Sequence, residues 1–285
     1  MNASDSQPDP NVNNVTVTSL GSGSSGNALL VQTATATVLV DCGIGVRKMT
    51  SALAASGKRL QDVDAVLLSH EHIDHNRETN RLQRAGATII STPGTAISSN
   101  LNPELSLSVD CGRSVSFRGL DITGIQVAHD AAEPCGFLIR TGVATICVFT
   151  DLGSVSGAVG EAIAEAHLVV LEANHDEQML RRGPYPVHLQ RRILADTGHL
   201  SNATSAELLA TALRTSRLSP TVWLAHLSES NNKPRLAVST VTKRLAQSGL
   251  QFAVDALPRR ELGPTWRSDA PHRAQRQLTL DLFSG

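Results

Sequence analysis

Residues 64–75, DAVLLSHEHIDH, run an apolar segment straight into four side chains of the kind that ligate metals: His70, His72, Asp74 and His75. A short aliphatic run bounded by polar residues reads as a buried strand. Three further runs end in the same way. DITGIQVAH closes on His129, TICVFTD on Asp151 and TVWLAHL on His226. One such ending says little, because a single histidine is more often a hydrogen-bonded core or surface residue. Together they form a set, one ligand at the carboxyl end of each run, and are best read as a shared metal rim. His70 and His72 are two apart and face the same way in an extended chain. One ion cannot comfortably take the whole cluster. Two adjacent ions can, with His70 and His72 on one and Asp74 and His75 on the other. Imidazole and carboxylate together suit Zn²⁺, Mn²⁺ or Fe²⁺.

The 285 residues suffice for one large α/β domain or two small ones with a real core. Aromatic residues are only 3%, so that core must be built from Val, Leu, Ile and Ala. The net charge of −1 means that an anionic substrate must be held by a local patch or by metals. Four cysteines without CxxC spacing, Cys42, Cys111, Cys135 and Cys147, read as reduced thiols of a cytoplasmic protein. The polar start shows no secretory pattern, and no apolar run reaches the length of a membrane span.

Along the chain, residues 1–14 read as a disordered tail, 15–257 as one folded domain and 258–285 as a flexible tail. Strands are expected at VTVTSL, ALLVQT, ATVLVD, DAVLLS and ATIIST, and then through a β-rich middle. Helices are expected over 46–55 and 77–86, then AVGEAIAEA, ATSAELLATALRTS and PRLAVSTVTKRLAQSG, the fourth opened by a Thr204-x-x-Glu207 capping box. The Gly/Ser-rich GSGSSGN lacks the GK[ST] of a phosphate-binding P-loop, and reads as a tight turn facing the metal rim. The pattern suggests two packed sheets with helices outside.

From about Ser19 to about Leu250 the sequence resembles the metallo-β-lactamase superfamily. The resemblance rests on Asp41 in VLVDCG, on HEHIDH, and on His129, Asp151 and His226. It implies an α/β fold, a four-layer αβ/βα sandwich in one domain, with metals at one edge between the sheets. It further implies two divalent ions, zinc or manganese. His70, His72, His129 and Asp151 would hold one; Asp74, His75, Asp151 and His226 would hold the other, with Asp151 bridging and Asp41 supporting the ligand loop. GSGSSGN, AHDAAEPCGF, EANHDEQMLRRGPYP and RRILADTGHLSN resemble, more finely, the WalJ-type subgroup of bacterial DNA exonucleases. One departure is Glu78, where such relatives carry Gly.

The implied activity is a dinuclear phosphodiesterase, a 5′→3′ exonuclease on DNA using a metal-bridging hydroxide, with Asp74 among the catalytic residues. Competing readings are a small-ester or thioester hydrolase of glyoxalase II or lactonase type, a tRNase Z-like RNA-processing enzyme, and a metal-bearing binding protein without catalysis. A leaving alkoxide needs a proton, and His199 in DTGHLSN is the favoured acid, with His175 in EANHD orienting phosphate. Arg181, Arg182, Arg191 and Arg192 surround Tyr185, a group suited to phosphates and a stacked base, although most such arginine pairs are merely solvated.

Near the end, QLTLDLF places Leu278, Leu280 and Leu282 on one side of an extended chain. Alternation alone fits an edge strand or a strip folded back on the domain. The segment also resembles the Gln-Leu-x-Leu-x-Leu-Phe peptide by which bacterial replication and repair proteins dock on the DNA sliding clamp. Gln277 would then be the polar anchor, and Leu280, Leu282 and Phe283 would fill the apolar pocket. A peptide of residues 277–283 is expected to bind the clamp with ~micromolar affinity. Changing Gln277, Leu280 and Phe283 to Ala should abolish that binding and spare cleavage of short oligonucleotides. A full-length protein that shows no clamp binding by calorimetry overturns the assignment.

Overall fold

The computed structural model describes residues 14–270. Residues 1–13 and the 277–283 motif lie outside the described residues. Six strands open the chain: β1 (Thr16–Gly21), β2 (Ala28–Gln32), β3 (Thr37–Val40), β4 (Ala65–Leu67), β5 (Thr88–Ser91) and β6 (Ser106–Ser108). Seven more follow: β7 (Ser114–Phe117), β8 (Leu120–Gln126), β9 (Cys135–Arg140), β10 (Thr145–Phe149), β11 (Leu168–Glu172), β12 (Thr221–Ala225) and β13 (Ala253–Ala256). A last strand, β14 (Thr265–Arg267), returns to the first group. The result is two seven-stranded sheets, ordered β14-β1-β2-β3-β4-β5-β6 and β13-β12-β11-β10-β9-β8-β7.

Both faces of the central strands are covered. In β11, Leu168 and Val170 pack between the sheets, while Val169 and Leu171 join the outer helical layer. In β3, Val38 and Val40 face inward and Leu39 outward. A strand buried on both faces is apolar at every position, which is why these segments read as unbroken aliphatic runs. The helices are α1 (Val46–Ala55), α2 (Ile73–Asn76), α3 (Thr79–Arg84), α4 (Pro93–Ser98), α5 (Gly157–Ala164), α6 (Glu177–Arg182), α7 (Val187–Ile193), α8 (Asn202–Ala212) and α9 (Pro234–Gln247). Met49 and Leu53 of α1 cover the outer face of the first sheet. Val159, Leu209 and Val241, from α5, α8 and α9, cover the second. The expected four-layer metallo-β-lactamase sandwich is the observed one. Among the described residues no helix is long and apolar enough to cross a membrane.

Each half changes pairing midway. β1 to β3 are antiparallel, and β3 to β6 are parallel. β7 to β10 are antiparallel, and β10 to β13 are parallel. Parallel neighbours require a crossover, usually helical. That arrangement sends the carboxyl ends of the parallel strands of each sheet to a common edge.

Three expectations need correction. The helix at 203–216 starts earlier: Ser201 is its N-cap, its Oγ accepting from Thr204 N at 3.1 Å, so Thr204 lies in the first turn and no Thr204–Glu207 box forms. Glu207 instead pairs with Arg244 of α9, with Nη2 to Oε1 at 2.9 Å. Helices α4, α6 and α7 were not anticipated, being too short to display a periodic stripe. The folded domain also extends past residue 257. β14 pairs antiparallel with β1, setting Trp266 opposite Val17, and Trp266 is buried in the inter-sheet core. The polar composition of 258–270 hid this, because one buried tryptophan and three ladder residues suffice to anchor an edge strand.

Glu78 is explained by its partners. Its Oε1 accepts from Val46 N at the start of α1 at 3.0 Å, and its Oε2 accepts from Arg81 Nε at 2.9 Å. A carboxylate thus supplies the cap that Gly45, the N-cap residue of α1, cannot. Trp266→Ala should lower unfolding free energy by about 3 kcal/mol, as for other large buried aromatics. Chemical denaturation measures this, and an unchanged midpoint would show β14 to be dispensable.

Candidate metal centre

The carboxyl ends of the strands converge on one edge between the sheets. β4 leads into His70, His72, Asp74 and His75, the last two within the single turn of α2. β8 leads to His129, β10 to Asp151 and β12 to His226. The nitrogens of His70, His72 and His129 lie within 4.8 Å of one another. So do the donor atoms of Asp74, His75, Asp151 and His226. Asp151 touches both sets: its Oδ2 lies 3.5 Å from His70 Nε2 and 2.5 Å from His75 Nε2, and its Oδ1 lies 2.5 Å from His226 Nδ1. Asp74 Oδ2 is 3.5 Å from His226 Nε2.

The donor chemistry fits divalent ions. His70 Nε2 and His226 Nε2 are buried without a hydrogen-bond partner, although such atoms are normally satisfied. The opposite nitrogens of these rings are tied down. His75 Nδ1 lies 2.7 Å from Asp41 Oδ2, His70 Nδ1 3.0 Å from Ser69 Oγ, and His226 Nδ1 2.9 Å from Glu172 Oε1. His129 Nδ1 donates to Gly198 O at 3.2 Å. Such outer contacts orient imidazole ligands and raise their basicity.

Protonation tells the same story. Burial opposes charge on His75, but the Asp41 and Asp151 carboxylates outweigh it and push its pKa up to about 10. Burial is outweighed at His199 also, by Glu172 and Asp151, which raise it to about 9. Burial would raise Glu172, yet His199 and His226 bring it down to about 2. His70 moves well below its ordinary value, through burial first and the neighbouring His75 second. The carboxylates that raise His75 make the centre anionic and attractive to cations, and a ligand imidazole gives up its proton when an ion binds.

The backbone is bent to make this convergence. Asp41, Asp151 and His226 have φ of 59°, 53° and 53°. Non-glycine residues in this region cost ~1 kcal/mol or more each, and persist only where the surroundings impose them. Asp41 is fixed by Ser69, whose N and Oγ donate to its carboxylate at 2.9 and 3.0 Å. Gly43 lets the ligand loop pack: a Cβ there would stand 1.7 Å from the Asp74 carbonyl oxygen. The GSGSSGN turn faces the rim as expected. Asn27 N donates to Asp74 O at 2.8 Å, and Ser22 Oγ accepts from His226 N at 2.9 Å.

A cleft of about 240 Å³ opens over these residues. His72, Asp74, His129, Asp151, His199 and His226 line it, together with Tyr185, Arg192, Ser24 and Ser228. The structure therefore brings His199, Tyr185 and Arg192 to the site. Arg192 also pairs with Asp130 across the cleft mouth at 2.7 Å. Arg181, Arg182 and Arg191 are exposed on α6 and α7 and do not line the cleft. His175 is 1% exposed and does not line the cleft. Its carbonyl accepts from Asn202 N at 2.8 Å, which ties the exit of β11 to the loop that carries His199.

Sequence reasoning missed Glu172. It closes the apolar run HLVVLE, the same signal that identified the other residues. Fully buried, its Oε1 lies 2.8 Å from His199 Nδ1, and its Oε2 accepts from Leu152 N at 2.8 Å and Leu200 N at 3.0 Å.

Comparison with known proteins agrees with this architecture. Residues 36–223 match the family described as the beta-lactamase superfamily domain. Exodeoxyribonuclease WalJ of Streptococcus pneumoniae is 35% identical over 234 residues, covering 79% of this chain and 86% of that protein. Exodeoxyribonuclease YycJ of Bacillus anthracis is 31% identical over 227 residues, covering 78% and 85%. The metallo-beta-lactamase fold protein YhfI of Bacillus subtilis is similar in structure at a TM-score of 0.66, with 18% identity over 90% of this chain and 99% of that one, a likeness of fold alone. The strand-end ligand rim, the two-sheet sandwich and the match across most of its length show that this chain belongs to the beta-lactamase superfamily.

Proposed function

We propose that this chain is a dinuclear metal-dependent phosphodiesterase that degrades DNA as a 5′→3′ exonuclease. The observation that carries the reading is the pair of donor sets joined at Asp151 beneath a cleft that also holds His199, Tyr185 and Arg192. Two relatives named exodeoxyribonucleases, 35% and 31% identical, support the nuclease class and DNA as substrate.

His70, His72, His129 and Asp151 would hold one ion, and Asp74, His75, Asp151 and His226 the other, Zn²⁺ or Mn²⁺. Bound there, the ions would supply charge neutralisation for the phosphodiester and acidify the attacking water. Asp74, a member of the second set with 20% of its side chain exposed, also lines the cleft. His199 is placed to pass a proton to the leaving alkoxide. Its Nδ1 is engaged by Glu172, which leaves Nε2 for the cleft that His199 lines. Glu172 keeps that ring cationic near neutrality, so the proton is available. Arg192 can exchange its Asp130 partner for a phosphate, and Tyr185 offers a face to a base.

End-labelled single- and double-stranded DNA, RNA and a thioester, each incubated with the purified protein and Mn²⁺ or Zn²⁺, test the assignment. Stepwise loss of nucleotides from DNA 5′ ends, without thioester turnover, is expected. Thioester hydrolysis with intact DNA would favour the small-ester class instead. Among variants, Asp74→Ala combined with His75→Ala should abolish cleavage and lower bound metal from about two equivalents to about one. His199→Ala should retain both equivalents, measured by elemental analysis, and lose ~10²–10⁴-fold in turnover. Cleavage that survives the double change rules out two ions, and undiminished turnover in His199→Ala removes it from the mechanism.

A further inference from the structure

Beside the cleft, the Gly/Ser turn is flanked by cations that the proposed mechanism leaves unused. Gly21 and Gly23 have φ of 156° and 153°, and the lack of side chains there has a specific consequence. A Cβ on Gly21 would stand 2.4 Å from Lys48 Nζ, and one on Gly23 would stand 2.9 Å from Arg259 Cγ. Two basic side chains are therefore laid directly against the turn. Arg259 is anchored: its Nη2 donates to Leu227 O at 2.9 Å. Lys48 donates to Arg259 O at 3.0 Å and forms no ion pair among the described residues. Arg260, 70% exposed, meets Glu229 at 3.1 Å, the same carboxylate that Arg259 approaches at 3.6 Å. Two of the three cations thus share one carboxylate and Lys48 has none, a local surplus in a chain whose net charge is −1.

The turn itself adds donors. Ser24 and Ser25 are exposed at its tip, and their backbone N–H groups have no partner among the described residues. Ser24 lines the metal cleft, as does Ser228, one residue from Glu229. Arg192 and Tyr185 belong to another part of the same wall. Consecutive free amides beside surplus cations suit a phosphate oxygen.

We propose that Lys48, Arg260 and the Ser24 and Ser25 amides form a second phosphate subsite, which holds the backbone of a nucleic-acid strand beyond the scissile group. The proposal rests on the nuclease reading above. A polyanion lying across the rim would then be gripped at the metals and again at this turn. Such contacts give affinity without regard to base sequence and a steep dependence on salt.

The test compares the full-length Mn²⁺ enzyme with its Lys48→Gln, Arg260→Gln double variant, on bis(p-nitrophenyl) phosphate and on a labelled 12-nucleotide single strand. The small diester carries one phosphate and cannot occupy the metals and the turn at once. The ratio of kcat/KM for the 12-mer to that for the diester should fall about tenfold, and the slope of log KM against log salt by about 1.4, the value for two phosphate contacts on a single strand. If both substrates are cleaved and neither ratio nor slope changes, the subsite is wrong and the nuclease reading stands. A wild-type enzyme that cleaves the diester but no oligonucleotide overturns both.

Discussion

The Asp151 carboxylate is almost wholly buried, and an isolated carboxylate in such a place would be costly. It is stabilised by imidazoles that approach from both sheets. His75 Nε2, delivered by the first sheet, and His226 Nδ1, delivered by the second, each lie 2.5 Å from its oxygens. Neither sheet could bury this group alone. The inter-sheet core and the candidate metal centre are therefore parts of one structure: packing Val170 and Trp223 against Val38 and Leu67 brings the polar strand ends together, and the polar ends close the edge of that core.

The same constraint explains the bent backbone at the rim. A strand alternates its side chains, so its last residue does not automatically aim along the strand axis toward a neighbouring loop. Left-handed φ values at Asp41, Asp151 and His226 redirect those residues at the point where each strand ends. The strain is held by close packing and by hydrogen bonds such as Ser22 Oγ to His226 N and Ser69 N to Asp41 Oδ1. Surrounding carboxylates complete the arrangement. Asp41 fixes His75, and Glu172 fixes both His199 and His226. Among the buried atoms left without partners are His70 Nε2 and His226 Nε2, which face the centre.

Much of the rim was legible because each ligand interrupts a run that is otherwise apolar. HEHIDH, His129, Asp151 and His226 stand out against largely aliphatic strands. Glu172 bears the same mark, in a segment, EANHD, where His175 competes with it. Contacts separate the two: Glu172, at the end of β11, reaches His199 and His226, whereas His175 is buried and does not line the cleft. The arginines could not be sorted by spacing either. Arg191 and Arg192 are adjacent on α7, yet only Arg192 lines the cleft, since neighbours on a helix face different directions.

From the sequence alone came the strand runs, the major helices and the candidate ligands, because these depend on local periodicity and on the contrast between apolar and charged residues. The tertiary structure decided the partners. That β14 returns to β1, that Glu78 caps α1, and that Lys48 and Arg259 lie against Gly21 and Gly23 are contacts between segments far apart in the chain. Such contacts leave no local pattern. They are chosen by the packing of two sheets, whose buried faces leave the rim as the place where charged strand ends can meet.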